Sequence, residues 1–561
     1  MTRRSILFLA ALAVLAAGCS SGTAKTAVQR STTTTGAAPV PSFDPSVLVG
    51  GDPLQVRTPA GAVRGSTVDG VRRFTAIPYA APPIGANRWR APQPVASWAG
   101  SRDATKPAPV CPQVLPVVNQ VQGQEDCLYL NVFAPKAPPS RLQPVMVWIH
   151  GGGFTVGSGN DNDPSRLVSR AGVVAVTINY RLGPFGFLSQ EQLVAQDPNH
   201  SVGNMGFEDQ VAALHWVQRS IAAFGGDARK VTIFGESAGG MSVCDHLLSP
   251  RSRGLFAKAI MESGPCGNAG VKLGLALAQG ATFAVKLGCS VAPDVIGCLR
   301  GKSTAQVLAA LPPDPTFLFR KAAFWLPVGD GVDLPTDGTA AIRAGRFNHV
   351  PVIAGVNRDE GRLFIGMAAY TLGSIVPPVT AAGYPRRLTA YFGSGVGAQV
   401  LGHYPLSSFP DPGAAFGQAV GDAILACPAL AGAEAMEPFV PVHLYEFTHA
   451  PNPFVLPMTG LDLGAFHSAE LPYVFGKATA SSGRLSFTVA EQHLSDTVVG
   501  AWTRFARTGN PNGDGLDWPA VGATHAYLDL DTPTKLGRDV KQAECTFWAR
   551  SGWDASQAGR T

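Results

Sequence analysis

The apolar run Val231-Thr232-Ile233-Phe234 leads directly into Gly235-Glu236-Ser237-Ala238-Gly239, and this junction constrains the fold more than any other stretch of the chain. It predicts a strand that breaks sharply into a helix with a serine at the tip. Ser237 must adopt a strained backbone conformation there, and β-carbons two residues before or after it would strike neighbouring backbone, so glycine occupies both places. The turn presents the Ser237 hydroxyl to a bound molecule and aims the first amides of the helix at the same point. Ordinary glycine-bounded turns can match five such residues, so the flanks decide the matter.

Those flanks read as alternating strands and helices. Residues 144–149, Pro-Val-Met-Val-Trp-Ile, form an apolar run without strict alternation, as expected of a central strand buried on both faces. Residues 172–179 give a second such strand. Phe207, Val211, Leu214, Val217 and Ile221 then recur at spacings of three and four, which predicts a helix with one stripe against a core. Val442–Phe447 reads as another strand, and 494–505 as an amphipathic helix stopped by Gly509-Asn510-Pro511. Residues 71–83, punctuated by proline, predict an extended loop after a short N-terminal hairpin; the glycine- and proline-rich stretch 360–440 predicts loops and helices over one edge of the sheet. Together these elements point to an α/β fold, a large and mostly parallel central sheet flanked by helices. With 45% hydrophobic and 15% charged residues over 561 positions, the chain has ample core material. No second compositional break and no repeat of fixed spacing follows residue 50, so 51–561 is expected to form one domain.

The N-terminus is of another kind. Arg3 and Arg4 followed by the apolar run 6–17 predict a signal peptide over 1–18, since the run is too short to span a bilayer comfortably. Leu15-Ala16-Ala17-Gly18-Cys19 is similar to a bacterial lipobox, which implies cleavage before Cys19 and acylation of that cysteine; Ala16 stands where leucine is more usual. Acyl chains on Cys19 would tether the protein to a membrane at about 0.8 kcal/mol per buried methylene. Plain secretion is the alternative. Residues 19–50, rich in Ser, Thr, Ala, Gly and Pro, read as a flexible stalk. A formal net charge of +5 is too slight to imply a nucleic-acid partner.

A second motif follows the strand at 144–149, His150-Gly151-Gly152-Gly153-Phe154. Its glycines let bare amides converge on one point with no side chain in the way, as a donor site for a developing oxyanion requires. A phosphate cradle uses similar glycines, but no Gly-Lys-Ser or Gly-Lys-Thr follows. An activated serine further needs a base and a carboxylate to orient it, and by residue type alone any of eleven histidines could serve.

Longer matches narrow the choice. Phe224-Gly225-Gly226-Asp227 through Gly239 resembles the serine signature of the type-B carboxylesterases, the family of the cholinesterases and the bacterial para-nitrobenzyl esterases. Glu125-Asp126-Cys127-Leu128-Tyr129-Leu130-Asn131-Val132 is similar to the second signature of that family, and similar segments run from Arg64-Gly65 to Phe547-Trp548. The resemblance implies an α/β-hydrolase fold and serine-dependent hydrolysis of carboxylic esters through an acyl-enzyme, with no cofactor and no metal. It makes Ser237 the nucleophile, Glu360 of Asp359-Glu360-Gly361 the acid, and His467, ahead of Val474-Phe475-Gly476, the base. The chain order Ser, Glu, His fits the fold independently. Matched positions imply Gly152, Gly153 and Ala238 as oxyanion donors, and Glu236, Ser263 and Glu470 as a buried polar network beside the histidine. His467 and Glu470 are also spaced like two metal ligands on a helix, but no partner motif accompanies them. An unperturbed imidazole predicts activity rising through about pH 6–7.

Nine cysteines, less Cys19, leave an even number, suited to an oxidising, extracytoplasmic place. The resemblance implies pairing of Cys111 with Cys127, Cys289 with Cys298 and Cys427 with Cys545; Cys244 and Cys266 either pair or stay as buried thiols. Cholinesterases place a tryptophan between the first two cysteines to hold a quaternary ammonium. Residues 112–126 contain no aromatic residue, so neutral small-molecule esters are expected. Phe324 and Trp325 match the acyl-pocket region and, if they narrow it, favour short to medium acyl chains; Leu363 and Phe364 are expected in the same gorge. The alternatives are a lipase or amidase reaction on the same triad, and a non-catalytic binding protein on the same fold.

Overall fold

The computed structural model describes residues 42–115, 119–267, 270–313, 325–371, 379–450, 462–478 and 486–553. The signal peptide, Cys19 and the stalk up to residue 41 lie outside the described residues, as does Phe324. Residues 42–50, expected to end the stalk, are instead part of the folded body. Ser42 bridges to Arg141 and Leu48 to Val56, with Asp44 capping a short turn of helix at Pro45–Val47.

The principal sheet has eleven strands. In chain order they are β1 (Ser66–Val68), β2 (Val71–Pro78), β3 (Tyr129–Pro135), β4 (Gln143–Ile149), β5 (Val174–Ile178) and β6 (Gly226–Glu236). The rest are β7 (Lys258–Glu262), β8 (Val352–Asn357), β9 (Val442–Phe447), β10 (Ala526–Leu530) and β11 (Lys535–Arg538). Their order across the sheet is β11-β10-β9-β8-β7-β6-β4-β5-β3-β2-β1. From β5 to β10 the neighbours run parallel. Antiparallel pairs finish both edges.

Side-chain alternation along β4 shows why its run is apolar throughout. Val145, Val147 and Ile149 join one core with Val211, Leu214 and Val217 of helix α1 (Met205–Ser220). Met146 and Trp148 join the opposite core, where Trp148 lies 4.9 Å from both Phe234 and Phe475. Helices on both faces thus remove the polar side that an antiparallel strand would show. Helix α2 (Ala238–Leu248) follows β6, and α3 (Arg362–Thr371) follows β8. The second core is closed by Leu494, Val498, Trp502 and Phe505 of α4 (Val489–Thr508). A Thr488/Glu491 capping box starts α4, and Gly509 at φ 82° ends it.

Residues 71–78 depart from the expected loop: they are strand β2, paired with β3. Arg72 hid that strand, because a buried arginine breaks the apolar pattern. Its guanidinium is satisfied by the carbonyls of Pro135, Pro53 and Phe224, and burial lowers its pKa to about 10. The stretch 360–440 holds α3, Tyr384–Phe392, Ser394–His403, and a long run from Pro412 to Glu434 with a π turn at Asp422–Ala426. That run is apolar enough to cross a membrane, yet 83% of its most apolar window is buried in the fold, so it is a core helix. The three expected disulfides form, and Cys244 pairs with Cys266.

Candidate active site

β6 ends at the carboxyl edge of the parallel strands, where sheets of this kind form their binding crevice. Ser237 follows at φ 59°, ψ −122°. Backbone bonds hold that strained turn: its N–H donates to the Glu262 carbonyl at 2.9 Å, and its carbonyl accepts from Met241 at 2.9 Å. A Cβ on Gly239 would lie 2.0 Å from the Ile149 carbonyl oxygen, and one on Gly235 would lie 2.6 Å from the same atom. Glycine at both positions is a packing requirement.

Ala238 is the first residue of α2, so its N–H has no acceptor within the helix. Gly152 and Gly153, at φ 97° and 60°, turn back after β4, and the N–H groups of Thr155 and Val156 both donate to the Gly152 carbonyl at 3.0 Å. The N–H groups of Gly152 and Gly153 meet no acceptor among the described residues. All three residues line one cavity with Ser237. Neighbouring His150 is no base: its ring stacks on Tyr180 at 4.3 Å, Nδ1 lies 2.8 Å from the Gly151 carbonyl, and burial pushes its pKa down.

His467 reaches the same cavity from the loop after residue 461. Its Nδ1 lies 2.6 Å from Glu360 Oε2, while Glu360 Oε1 accepts the Asn357 N–H at 2.8 Å. Asp359, the neighbour in the motif, is committed elsewhere, to Arg358 and Arg362 and to the N–H of Ala465. His467 Nε2 forms no hydrogen bond among the described residues; Glu236 Oε1 stands 3.2 Å from it and accepts from the Ser468 hydroxyl at 2.6 Å. Burial favours the neutral imidazole, but the Glu236 and Glu360 carboxylates outweigh it and raise the His467 pKa to about 9. Burial in turn pushes Glu236 towards its neutral form, against the pull of His467.

Around this pair lies a nest of buried acids. Glu470 accepts from the Asn357 side chain, and burial lifts its pKa well above the carboxylate range. Ser263, expected in the network, is buried at φ 51°, but its hydroxyl has no hydrogen-bond partner among the described residues. Glu262 was not anticipated: it accepts from Trp502 Nε1 at 2.7 Å, and burial lifts its pKa to about 8. Its signal was available, a charged residue closing the apolar run of β7 beside the elbow.

The cavity has a volume of about 1210 Å³. Leu363 and Phe364 line it as expected, with the Phe364 ring 5.1 Å from that of His467. Trp325 also lines it, though its indole N–H is tied to the Leu311 carbonyl and its ring packs edge-on against Phe283.

A family model described as "Carboxylesterase family" matches residues 52–548. The chain belongs to the carboxylesterase family. This carboxylesterase is 37% identical over 513 residues to the para-nitrobenzyl esterase of Bacillus subtilis (strain 168), an alignment covering 86% of the chain and 96% of that relative. It is 36% identical to the pyrethroid hydrolase Ces2a of Mus musculus and to the cocaine esterase of Homo sapiens, each alignment covering 88% of the chain and 90% of the relative. Among solved structures, a PNB esterase superposes with a TM-score of 0.73 at 34% identity, covering 89% of the chain and 100% of that esterase. The carboxylesterase is accordingly a hydrolase of carboxylic esters with the α/β-hydrolase fold.

Proposed function

We propose that Ser237 is the nucleophile, His467 the base and Glu360 its orienting acid. The observation that carries this reading is the 2.6 Å contact of Glu360 with His467 Nδ1, which leaves Nε2 without a hydrogen bond among the described residues, beside the cavity that Ser237 lines. Ser237 Oγ bonds to the ester carbonyl carbon as His467 takes its proton, and the N–H groups of Gly152, Gly153 and Ala238 donate to the oxyanion. The carbon–alkoxide bond then breaks, and His467 returns the proton to the departing alcohol. Water, deprotonated by the same imidazole, releases the acid and restores Ser237.

Neutral esters with short to medium acyl chains are the proposed substrates, on the strength of the missing aromatic between Cys111 and Cys127 and of Trp325 in the cavity wall. Nitrophenyl esters graded from acetate to palmitate test this: kcat/KM is expected to peak before the long chains, and a maximum at palmitate would make a lipase of it. The proposed location is outside the cytoplasm, lipid-anchored through Cys19. Four disulfides among the described residues support the oxidising compartment. Partition of the mature protein into detergent checks the anchor.

The base must be unprotonated to act, and its pKa is raised, so the acidic limb of kcat/KM is expected above the ordinary imidazole value of about 6.5. It is expected towards about 9 rather than at the pH 6–7 read from sequence. Glu236→Gln removes one of the negative charges holding the imidazolium, so the limb should move to lower pH. A limb that stays put would separate Glu236 from His467.

A further inference from the structure

One half-buried acid in the cavity wall has no place in the mechanism above. Ser237, Met241, Asp245 and Leu248 all line the cavity, and their spacings of four, four and three make one stripe at the start of and along α2. Asp245 stands seven residues past Ala238, about 10 Å along the helix axis and away from the reacting carbonyl.

Several acids elsewhere in this fold meet an arginine. Asp209 takes Arg181, while Glu208 and Asp333 share Arg251. Among the described residues the Asp245 carboxyl makes neither a hydrogen bond nor an ion pair, and burial alone displaces its pKa, to about 8. Lys272 and Arg343 also line the cavity, but both are exposed and neither pairs with it. The carboxyl is half-buried and lines the cavity, so a bound molecule can reach it. The wall that carries it is stiff. Cys244, its chain neighbour, is bonded to Cys266, and the Gly267 N–H lies 3.3 Å from Cys244 Sγ.

We infer that Asp245 is a specificity-determining residue whose carboxylate receives a primary ammonium group borne on one arm of the ester substrate. The inference rests on the ester-hydrolase reading and deepens it: neutral esters are turned over, and an ammonium group at this distance adds affinity. A carboxylate only accepts hydrogen bonds, and a primary ammonium supplies three donors together with the missing counter-charge. In the empty cavity burial favours the protonated carboxyl; the incoming cation holds the ionised form, and the displaced proton passes to solvent. This device differs from an aromatic cage, which holds quaternary ammonium without hydrogen bonds.

Calorimetric titration of the purified protein with n-hexylammonium and with hexanol near neutral pH tests it without relying on turnover. The ammonium is expected to bind on the order of tenfold more tightly than the alcohol. That preference should vanish in Asp245→Asn and persist in Asp245→Glu. Equal affinities in the wild-type protein, or a preference that survives Asp245→Asn, would overturn the assignment. Should the asparagine variant not fold, the wild-type comparison still decides. Turnover of a neutral nitrophenyl ester by the same preparation is scored separately, and its absence sinks the ester reading alone.

Discussion

Ser237→Ala is expected to lower kcat for nitrophenyl ester hydrolysis by about a millionfold, while the melting temperature moves little. Alanine keeps the β-carbon, and the bonds that hold the turn come from the Ser237 backbone, to Glu262 and Met241, and survive the change. The strained φ of 59° is therefore retained and the loss reads as chemistry. The amides of Gly152, Gly153 and Ala238, which meet no acceptor among the described residues, also remain, so a residual rate above that of water is expected from oxyanion stabilisation and binding. Active-site titration with a fluorophosphonate, run beside the kinetics, should label the wild-type protein at Ser237 and the variant not at all. Activity within tenfold of wild type, or labelling at another serine, would remove Ser237 from the reaction.

What the sequence made legible are parts whose chemistry is written locally. Gly235 and Gly239 are forced by a carbonyl a few ångströms away, and the motif around Ser237 shows them without any knowledge of that carbonyl. Glu360 and His467 are 107 positions apart, and only the resemblance selected them. Residues whose role arises from packing stayed hidden. Arg72 was read as a loop residue because the carbonyls that satisfy it come from three distant segments. Glu262 meets Trp502 across 240 positions. The structure moves the pH expectation for the same reason, since the carboxylates that raise the His467 pKa converge only in the folded chain. Asp245 is one more aspartate on a helix until its lack of a partner is seen.

Glu360→Gln is expected to cost about four orders of magnitude in kcat, because it turns the imidazole the wrong way round. The glutamate uses one oxygen for His467 Nδ1 and the other for the Asn357 N–H, and both contacts need an acceptor. A carboxamide has only one. The backbone N–H of Asn357 is fixed at the end of β8 and cannot become an acceptor, so the amide oxygen turns to it and the NH₂ group faces Nδ1. Nδ1 must then accept, which places the ring proton on Nε2. A proton on Nε2 blocks that atom from taking one from Ser237. Loss of the charge also removes one of the groups that raise the His467 pKa, so the acidic limb should shift to lower pH although kcat falls. Asp359→Asn is the control: its side chain serves Arg362 and Ala465, so stability should drop while the acidic limb keeps its place. Were the two variants to behave alike, the orienting role would not belong to Glu360.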